Sequence, residues 1–395
     1  MKSGEGVDLW CDPETNDETA RYKGEFAEDK PHGTGIFYYH KSESTNNVLG
    51  CLDDNNEDPT AGICLKYEGP CEGGFMQGEK GVLFYNSGSI SYEGPMKEDF
   101  QEGIGKSYFP SDKIKFEGPH KAGKFDGSEG KLYYQSGAVQ YTGDFVADQF
   151  AGNGILFHEN ANKGYEGQFK ENLPHGTGTM FDQEGNKKYH GELLNGKFDG
   201  LGTIFGDGDS PKYRGCFMQG KYHGAGQVYG PTGNILYVGG FKEGQIDTGD
   251  ATIMYDNGNF KYKGPVAMGK YEGAGELYYN SGQLQYKGPF VNSKFEGENG
   301  IIYGVTGNKG YEGSFKAGNP HGNGIYYDTN GVKKYEGDFN MGLFNGVGKF
   351  YHDNGNVKYT GDWAMGKQHG EGEDFDKEGI SVFKGIYKIG KPVKD

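Results

Sequence analysis

An aromatic residue followed two positions later by glycine recurs at fifteen regularly spaced places along the 395-residue chain, and this series constrains its fold more than any other feature. After one interval of 45 residues, every interval between these aromatic residues is 24 or 25 residues. A constant period in this range is typical of tandem repeat proteins, in which each unit contacts mainly its neighbours. The aromatic residues are Tyr22, Tyr67, Tyr92, Phe116, Tyr141, Tyr165, Tyr189, Tyr213, Tyr237, Tyr262, Tyr286, Tyr311, Tyr335, Tyr359 and Phe383.

The composition supports a folded array. Glycine accounts for 74 residues, but no Gly-X-Y triplet persists, which excludes collagen. The 30 tyrosines and 26 phenylalanines argue against disorder and supply large apolar areas for a core. The formal charge of −16 disfavours binding of nucleic acid or anionic lipid through the general surface, because those partners are also negative.

The five cysteines and the N-terminus indicate a cytoplasmic protein. The cysteines are odd in number and no C-x-x-C pair occurs, so we expect reduced thiols. The first ten residues contain no apolar leader segment, and no run approaches the roughly 18 apolar residues of a membrane span. We therefore expect a soluble chain without a membrane-spanning segment.

The unit that begins at Tyr311 shows what one repeat forms. Tyr311, Gly313 and Phe315 alternate, so they share one face of a strand, and the glycine leaves a gap for a ring from a neighbouring strand. Residues 316–318 predict a tight turn, residues 322–327 a second strand, and residues 329–331 the turn to the next unit. The predicted fold is all-β: an elongated, twisted, single antiparallel sheet of about fifteen tandem β-hairpins.

The pattern Y-x-G-x-[FW]-x-x-G-x-x-H-G-x-G resembles the membrane occupation and recognition nexus (MORN) repeat. Residues 22–35, 165–178, 311–324 and 359–372 match it most fully. The resemblance covers residues 21–390, which leaves an acidic N-terminal tail at 1–20 and a C-terminal tail at 391–395. The structural positions that it assigns are Tyr22, Gly24, Phe26, Tyr165, Gly167, Phe169, Tyr311, Gly313, Phe315, Tyr359, Gly361 and Trp363.

Two departures from the family pattern carry predictions. Phenylalanine mostly replaces the usual tryptophan, which is retained at Trp363. In five units proline follows the glycine directly, and since proline cannot donate to a ladder, we expect irregular strands there. The unit from Phe116 also has an extra residue, which predicts a bulge. The five prolines are Pro70, Pro95, Pro119, Pro265 and Pro289.

Repeated histidines and glycine strings invite chemical interpretations that the spacing disfavours. Five histidines lie ten residues after the leading aromatic, but their repeats are at least two units apart, roughly 20 Å in a sheet, too far to share a metal. We expect each imidazole to hydrogen-bond the backbone beside the turn. The H-G-x-G strings lack the following helix of a phosphate loop, and the carboxylates do not converge. We predict no enzyme, with no catalytic residue, cofactor or metal. The histidines are His32, His175, His223, His321 and His369.

The long interval between the first two repeats contains an insertion at residues 41–66. It carries Asp53, Asp54, Glu57 and Asp58, but without the spacing of a calcium-binding loop. Long insertions often determine binding specificity, so these four residues are the candidate partner-binding feature.

The resemblance implies a non-enzymatic scaffold that binds protein partners in a cytoskeletal assembly. Relatives occur in radial spokes of cilia and flagella, so a ciliary axoneme is the expected location within the cytoplasm. The alternative is an adaptor at a membrane surface that binds phosphoinositides or a membrane-associated partner, which the net charge disfavours. A homodimer through sheet edges or ends is also expected. Whether the aromatic face forms a groove for a peptide or helix, or only packs on itself, stays open.

Overall fold

The computed structural model describes residues 3–11, 18–39 and 65–393 of the chain. It contains two compact units, Met1–Lys197 and Phe198–Asp395. Among the described residues, β-strands are accompanied by one short 3-10 turn, Asp207–Asp209, and by no α-helix. The strand pairs within each unit are antiparallel, which confirms the predicted class of tandem β-hairpins in an antiparallel sheet.

In the first unit, each repeat forms a hairpin that pairs with the repeats before and after it. The strand Gly4–Cys11 pairs with Glu18–Ala27, so part of the segment predicted as an N-terminal tail belongs to the sheet. The strands β1–β17 are, in order, Gly4–Cys11, Glu18–Ala27, Lys30–Tyr38, Leu65–Glu72, Phe75–Met76, Gly78–Phe84, Ile90–Lys97, Phe100–Gln101, Gly103–Tyr108, Ile114–Lys121, Lys124–Phe125, Gly127–Tyr133, Val139–Val146, Gln149–Phe157, Lys163–Lys170, Leu173–Phe181 and Lys187–Leu194.

The second unit repeats the same hairpins. Its first strand, Lys197–Phe205, begins at the last residue of the first unit. The strands β18–β37 are, in order, Lys197–Phe205, Pro211–Met218, Lys221–Tyr229, Ile235–Lys242, Gln245–Ile246, Gly249–Met254, Phe260–Ala267, Lys270–Tyr271, Gly273–Tyr278, Leu284–Val291, Lys294–Phe295, Gly297–Tyr303, Lys309–Lys316, Asn319–Tyr327, Lys333–Asn340, Leu343–Tyr351, Val357–Ala364, Lys367–Phe375, Ser381–Lys388 and Lys391–Pro392.

The turn inside each hairpin has the left-handed geometry that favours tight β-hairpins. In the hairpin from Tyr311, Ala317 has φ 52° and Gly318 has φ 91°. Positive φ at both central residues defines a type I′ turn, whose twist matches that of the flanking strands. The predicted turn at 316–318 is therefore confirmed, and it aligns Gly313 with Gly324 across the hairpin.

The predicted irregularity in the five proline-containing repeats is confirmed. In the repeat from Tyr262, β24 (Phe260–Ala267) pairs first with Lys270–Tyr271 and then, after a break, with Gly273–Tyr278. At the break, the Glu272 N–H donates to the Pro265 carbonyl oxygen at 3.0 Å. The returning strand is divided at the equivalent place in all five proline repeats, and also in the repeat from Tyr237, which has Gly240 in place of proline.

The extra residue in the repeat from Phe116 forms a bulge, as predicted. The register of β12 against β13 (Val139–Val146) shifts between Gly127 and Gly130, and Glu129 adopts φ 61°. The same shift occurs between Gly297 and Gly300 in the second unit.

The ring that lies over the glycine two residues after it, as over Gly313, is the leading ring of the same strand and not a ring from a neighbouring strand, so this part of the prediction was wrong. A Cβ built on Gly313 would lie 2.7 Å from the Tyr311 phenol oxygen and 2.5 Å from the Gly324 Cα. Each leading ring folds back along its own strand and covers both facing glycines. The glycine therefore provides room for the tyrosine two residues before it.

Candidate interaction surfaces

The residues assigned from the repeat pattern form the aromatic core of each unit. The leading tyrosines Tyr22, Tyr165, Tyr311 and Tyr359 are at most 4% exposed. The ring four residues later meets the leading ring edge to face, at 5.0 Å between the centroids of Tyr311 and Phe315. The leading ring meets the corresponding ring of the next repeat in the same way, at 5.0 Å between Tyr311 and Phe339.

A third ring covers the leading ring in several repeats. Nine residues after the leading aromatic, an aromatic side chain on the returning strand stacks on it at 3.8–3.9 Å between ring centroids. The leading rings are thereby covered by their neighbours, and the packing interpretation holds at these positions rather than an open aromatic groove. The stacked pairs are Phe116–Phe125, Tyr141–Phe150, Tyr213–Tyr222, Tyr262–Tyr271, Tyr286–Phe295 and Tyr335–Phe344.

The buried phenols are also hydrogen-bond donors to the backbone. The Tyr311 hydroxyl donates to the Ser314 carbonyl oxygen at 2.9 Å, and Tyr359 donates to Asp362 in the same way. Burial raises the pKa of Tyr311 and of Tyr359 to about 12. These tyrosines are therefore neutral structural groups at ordinary pH.

One buried polar pair interrupts the aromatic core of the first unit. His120 occupies the position of Phe145 in the next repeat and is 2% exposed, while Ser107 is 7% exposed. His120 Nε2 and Ser107 Oγ are 3.0 Å apart, and His120 Nδ1 lies 3.0 Å from the Gly118 carbonyl oxygen. Burial lowers the pKa of His120. The two side chains provide each other with a hydrogen-bond partner at positions where other repeats carry apolar side chains.

Three histidines of the repeated slot do not make the predicted backbone hydrogen bond through Nδ1. This atom is buried and has no hydrogen-bond partner in His175, His223 or His321. Within residues 3–11, 18–39 and 65–393, no group of three or more His, Cys, Asp or Glu side chains is placed to hold a metal ion.

The face opposite the aromatic core carries pairs of oppositely charged side chains beside exposed glycine backbone. Lys106 and Glu117 lie 2.9 Å apart in the first unit, and Lys287 and Glu276 lie 3.0 Å apart in the second. These pairs are partly exposed, so each contributes little to stability.

The hairpin turns of the second unit lie along one edge of its sheet, and this edge brings together lysines that are far apart in the sequence. The fifth and eighth residues after each leading aromatic pair across the turn, as Lys388 and Lys391 do. From Met218 to Lys391 these positions contain eight exposed lysines and no carboxylate. These lysines form no run in the sequence, because most neighbouring members lie 21 to 28 residues apart, but lysine at a fixed place in the repeat was the available signal. The lysines are Lys221, Lys242, Lys270, Lys294, Lys316, Lys367, Lys388 and Lys391.

Exposed apolar side chains accompany these lysines. Met268, Met341, Met365 and Ile389 occupy the first central position of their turns and are 90%, 55%, 82% and 63% exposed. Each has φ between 49° and 52°, a left-handed conformation that bulky side chains rarely adopt.

The candidate partner-binding residues Asp53, Asp54, Glu57 and Asp58 lie outside the described residues. Among the described residues, no helix has the length and apolar character that crossing a membrane requires.

Strand order, hairpin register and the repeated ring-on-glycine core define the class: a protein built from tandem β-hairpin repeats. The model of the MORN repeat matches residues 22–42, 141–160, 165–187, 189–210, 213–235, 311–333, 335–357 and 359–373. A MORN repeat variant matches residues 101–122 and 271–292, so that together the matches cover more than half of the chain. The chain belongs to the MORN-repeat family. MORN repeats are generally non-enzymatic structural repeats that form protein-interaction or membrane-associated modules.

Comparison with individual proteins adds no argument about function. No curated protein matches the chain. The crystal structure of TcdB2-TccC3 is 9% identical with a TM-score of 0.16, over 91% of this chain and 24% of that chain. The structure of TcdB2-TccC3 without its hypervariable C-terminal region is 11% identical with a TM-score of 0.15, over 95% of this chain and 18% of that chain. The chain thus spans about a quarter or less of these solved chains.

Proposed function

We propose that this chain is a non-enzymatic scaffold that binds protein partners in a cytoskeletal assembly, with a ciliary or flagellar axoneme, as in radial spokes, as the candidate location. The observation that carries the proposal is the repetition of one hairpin whose leading ring is covered by rings of its own and the next repeat. The side chains that recur in every repeat lie on the aromatic face. The side chains that differ between repeats lie mainly at the turns and on the opposite face. Such a surface can engage several partners at fixed spacing.

Tagging the full chain at its natural level, followed by imaging and proximity labelling, tests this function. The expected result is a filamentous or axonemal location with a reproducible set of cytoskeletal neighbours. A diffuse chain that labels no reproducible set of cytoskeletal proteins would overturn the proposal.

The alternative is an adaptor at a membrane surface that binds phosphoinositides or a membrane-associated partner. The lysine-bearing turn edge of the second unit favours it, since exposed basic residues contribute roughly 1 kcal/mol each near an anionic surface. The net charge of −16 opposes it. Flotation with vesicles that contain phosphoinositide distinguishes the two, and salt-sensitive binding would support the adaptor.

A homodimer through the sheet edges is a further part of the proposal. In the described residues, β36 (Ser381–Lys388) pairs with β35 (Lys367–Phe375) over most of its length. On its other side, Tyr387 and Lys388 pair with β37 and the Ile386 carbonyl oxygen accepts from the Val393 N–H, while the pairings of β36 there extend no further toward Ser381. Such an edge can accept a strand from a second copy. The mass in solution, measured by light scattering at several concentrations, tests this part.

A further inference from the structure

The last four hairpin turns of the second unit form a continuous surface that we call the C-terminal turn patch: residues 316–321, 340–345, 364–369 and 388–393. These residues include four lysines and no carboxylate, in a chain whose formal charge is −16. The local charge of the patch is therefore opposite in sign to that of the molecule. The lysines are Lys316, Lys367, Lys388 and Lys391.

Successive turns in the patch are fixed to one another. The N–H of Gly342 donates to the Pro320 carbonyl oxygen at 2.9 Å, and Gly366 donates to Phe344 at the same distance. A Cβ built on Gly366 would lie 3.8 Å from Leu343 Cδ2, which places the Leu343 side chain beside the next turn. The patch is thus a preformed surface, which lowers the entropic cost of binding.

Exposed apolar side chains run along the patch. Met341, Leu343, Met365, Ile389 and Val393 are 55%, 51%, 82%, 63% and 48% exposed. Single exposed apolar residues are common, but the same turn position is apolar in three successive repeats here.

The backbone makes this apolar series costly for folding. Met341, Met365 and Ile389 have φ of 49°, 50° and 52°. Asparagine, glycine and aspartate suit this position of a type I′ turn, whereas a β-branched residue such as Ile389 is strained there. Asn292 occupies the same position with φ 50° in an earlier repeat. Polar residues such as Glu171 and Gln219 adopt the same φ in other repeats, so the exposed apolar side chains distinguish the patch.

Two carboxylates beside the patch accept hydrogen bonds from the backbone. The Asp362 carboxylate accepts a hydrogen bond from the Glu371 N–H at 3.1 Å, and the Glu296 carboxylate of the preceding repeat accepts one from the Ala317 N–H at 2.8 Å. The patch itself therefore presents lysine and apolar groups.

The spacing of the turns indicates the form of the partner. Neighbouring turns are two strands apart, which is roughly 9.6 Å. Seven residues of an α-helix rise about 10.5 Å, so side chains at heptad positions on one helix can meet successive turns. Acidic side chains beside those positions would face the lysines.

We propose that the C-terminal turn patch binds an acidic amphipathic α-helix of a partner protein, whose apolar residues at heptad spacing contact Met341, Met365 and Ile389. This inference rests on the proposed scaffold function and names one of its binding surfaces.

The test measures the binding of a labelled synthetic helix of about four heptads, with leucine at one position per heptad and glutamate beside it, to the full chain by fluorescence anisotropy. The triple variant Met341→Asn, Met365→Asn, Ile389→Asn should raise Kd at least about tenfold, because the apolar contacts are lost. Asparagine tolerates the left-handed conformation, so the variant should unfold at the same temperature as the natural chain or higher. Met268→Asn, at the same turn position outside the patch, is the matched control and should leave Kd within about twofold.

Three results would overturn the inference. These are no binding of the synthetic helix, unchanged binding by the triple variant, or equal binding of a peptide with proline at its centre, which cannot remain helical. Vesicles of phosphatidylcholine and phosphatidylserine are tested in parallel, and patch-dependent binding to vesicles alone would assign the patch to a membrane instead. If the triple variant retains every cytoskeletal neighbour of the natural chain in proximity labelling, the docking inference fails while the scaffold function stands.

Discussion

The rings of Tyr335 and Phe344 stack at 3.9 Å between centroids, with 12° between their planes. The Tyr335 ring lies over Gly337 and Gly348, and Phe344 on the returning strand covers it from the other side. In each hairpin of this kind, one ring stacks on the leading ring, and the leading ring lies over two glycines. The stability of the hairpin should depend on the covering ring, the leading ring and the glycines.

Replacing Phe344 by alanine should cost about 2–3 kcal/mol, because it removes the stack on Tyr335 and the edge contact with Trp363. Urea unfolding followed by Trp363 fluorescence measures the loss. Gln368→Ala, at the equivalent position one repeat later, should cost less than about 1 kcal/mol. Equal losses for the two variants would show that the covering ring does not stabilise the hairpin.

Replacing Gly313 by alanine should destabilise the second unit by at least about 2 kcal/mol, since the new Cβ would lie 2.5 Å from the Asn323 carbonyl oxygen. Gly310→Ala is the control in the same strand. Its Cβ would meet nothing closer than 3.8 Å, and we expect a change within about 0.5 kcal/mol. Thermal unfolding by circular dichroism compares them, and similar transition temperatures would refute the close packing of ring and glycine.

The buried tyrosines should make the fold sensitive to alkali. Burial raises the pKa of Tyr165, Tyr262, Tyr311 and Tyr359 to about 12 in the folded chain. Folding thus favours their neutral form. The contribution of these tyrosines to the free energy of unfolding is complete below the unfolded pKa of about 10 and is lost as the pH rises through 12. Tyrosinate absorbance should rise together with the loss of β-sheet circular dichroism. Gradual ionisation near pH 10 with the sheet intact would contradict this prediction.

Ser107 and His120 should behave as a coupled pair. Ser107→Leu leaves the His120 imidazole buried without its partner, and each single change should cost about 1–3 kcal/mol, whereas Ser107→Leu with His120→Phe should be nearly neutral. A double-mutant cycle by urea unfolding measures the coupling, and additive losses would refute it.

The same pair should give the first unit an acid-sensitive step. Burial lowers the pKa of His120, so its stabilising contribution is present above the unfolded pKa of about 6.5 and is lost as the pH falls through the lower folded pKa. The double variant should lack this step. A pH profile that is identical in both chains would show that His120 does not contribute to it.

The hairpins could be predicted from the sequence because their determinants are local. Alternation at Tyr311, Gly313 and Phe315 fixes the strand, and the turn glycine fixes its end. Pro265 predicted the local irregularity from a single residue, and the same break in the repeat with Gly240 shows that proline is not required for it. These features depend on residues a few positions apart.

The turn edge could not be found in the same way. Lys367 and Lys391 are one full repeat apart in the sequence and become neighbours on the edge only through the register of the sheet. The origin of the covering ring also escaped prediction, because alternation specifies a shared face but not the direction in which a tyrosine lies along its strand. The paired Ser107 and His120 are members of different repeats, so their compensation is visible only in three dimensions.

The hydrogen bonds between successive turns reach only one repeat back, as from Gly366 to Phe344. Removing residues 335–358 would place Trp363 beside Tyr311, in the contact that Trp363 now makes with Tyr335 at 5.4 Å. Unequal crossing-over in the gene could therefore add or delete whole units while every join remained a natural one. Evolution could change the distance between two docking points on such a chain by copy number alone, leaving the residues at each point untouched.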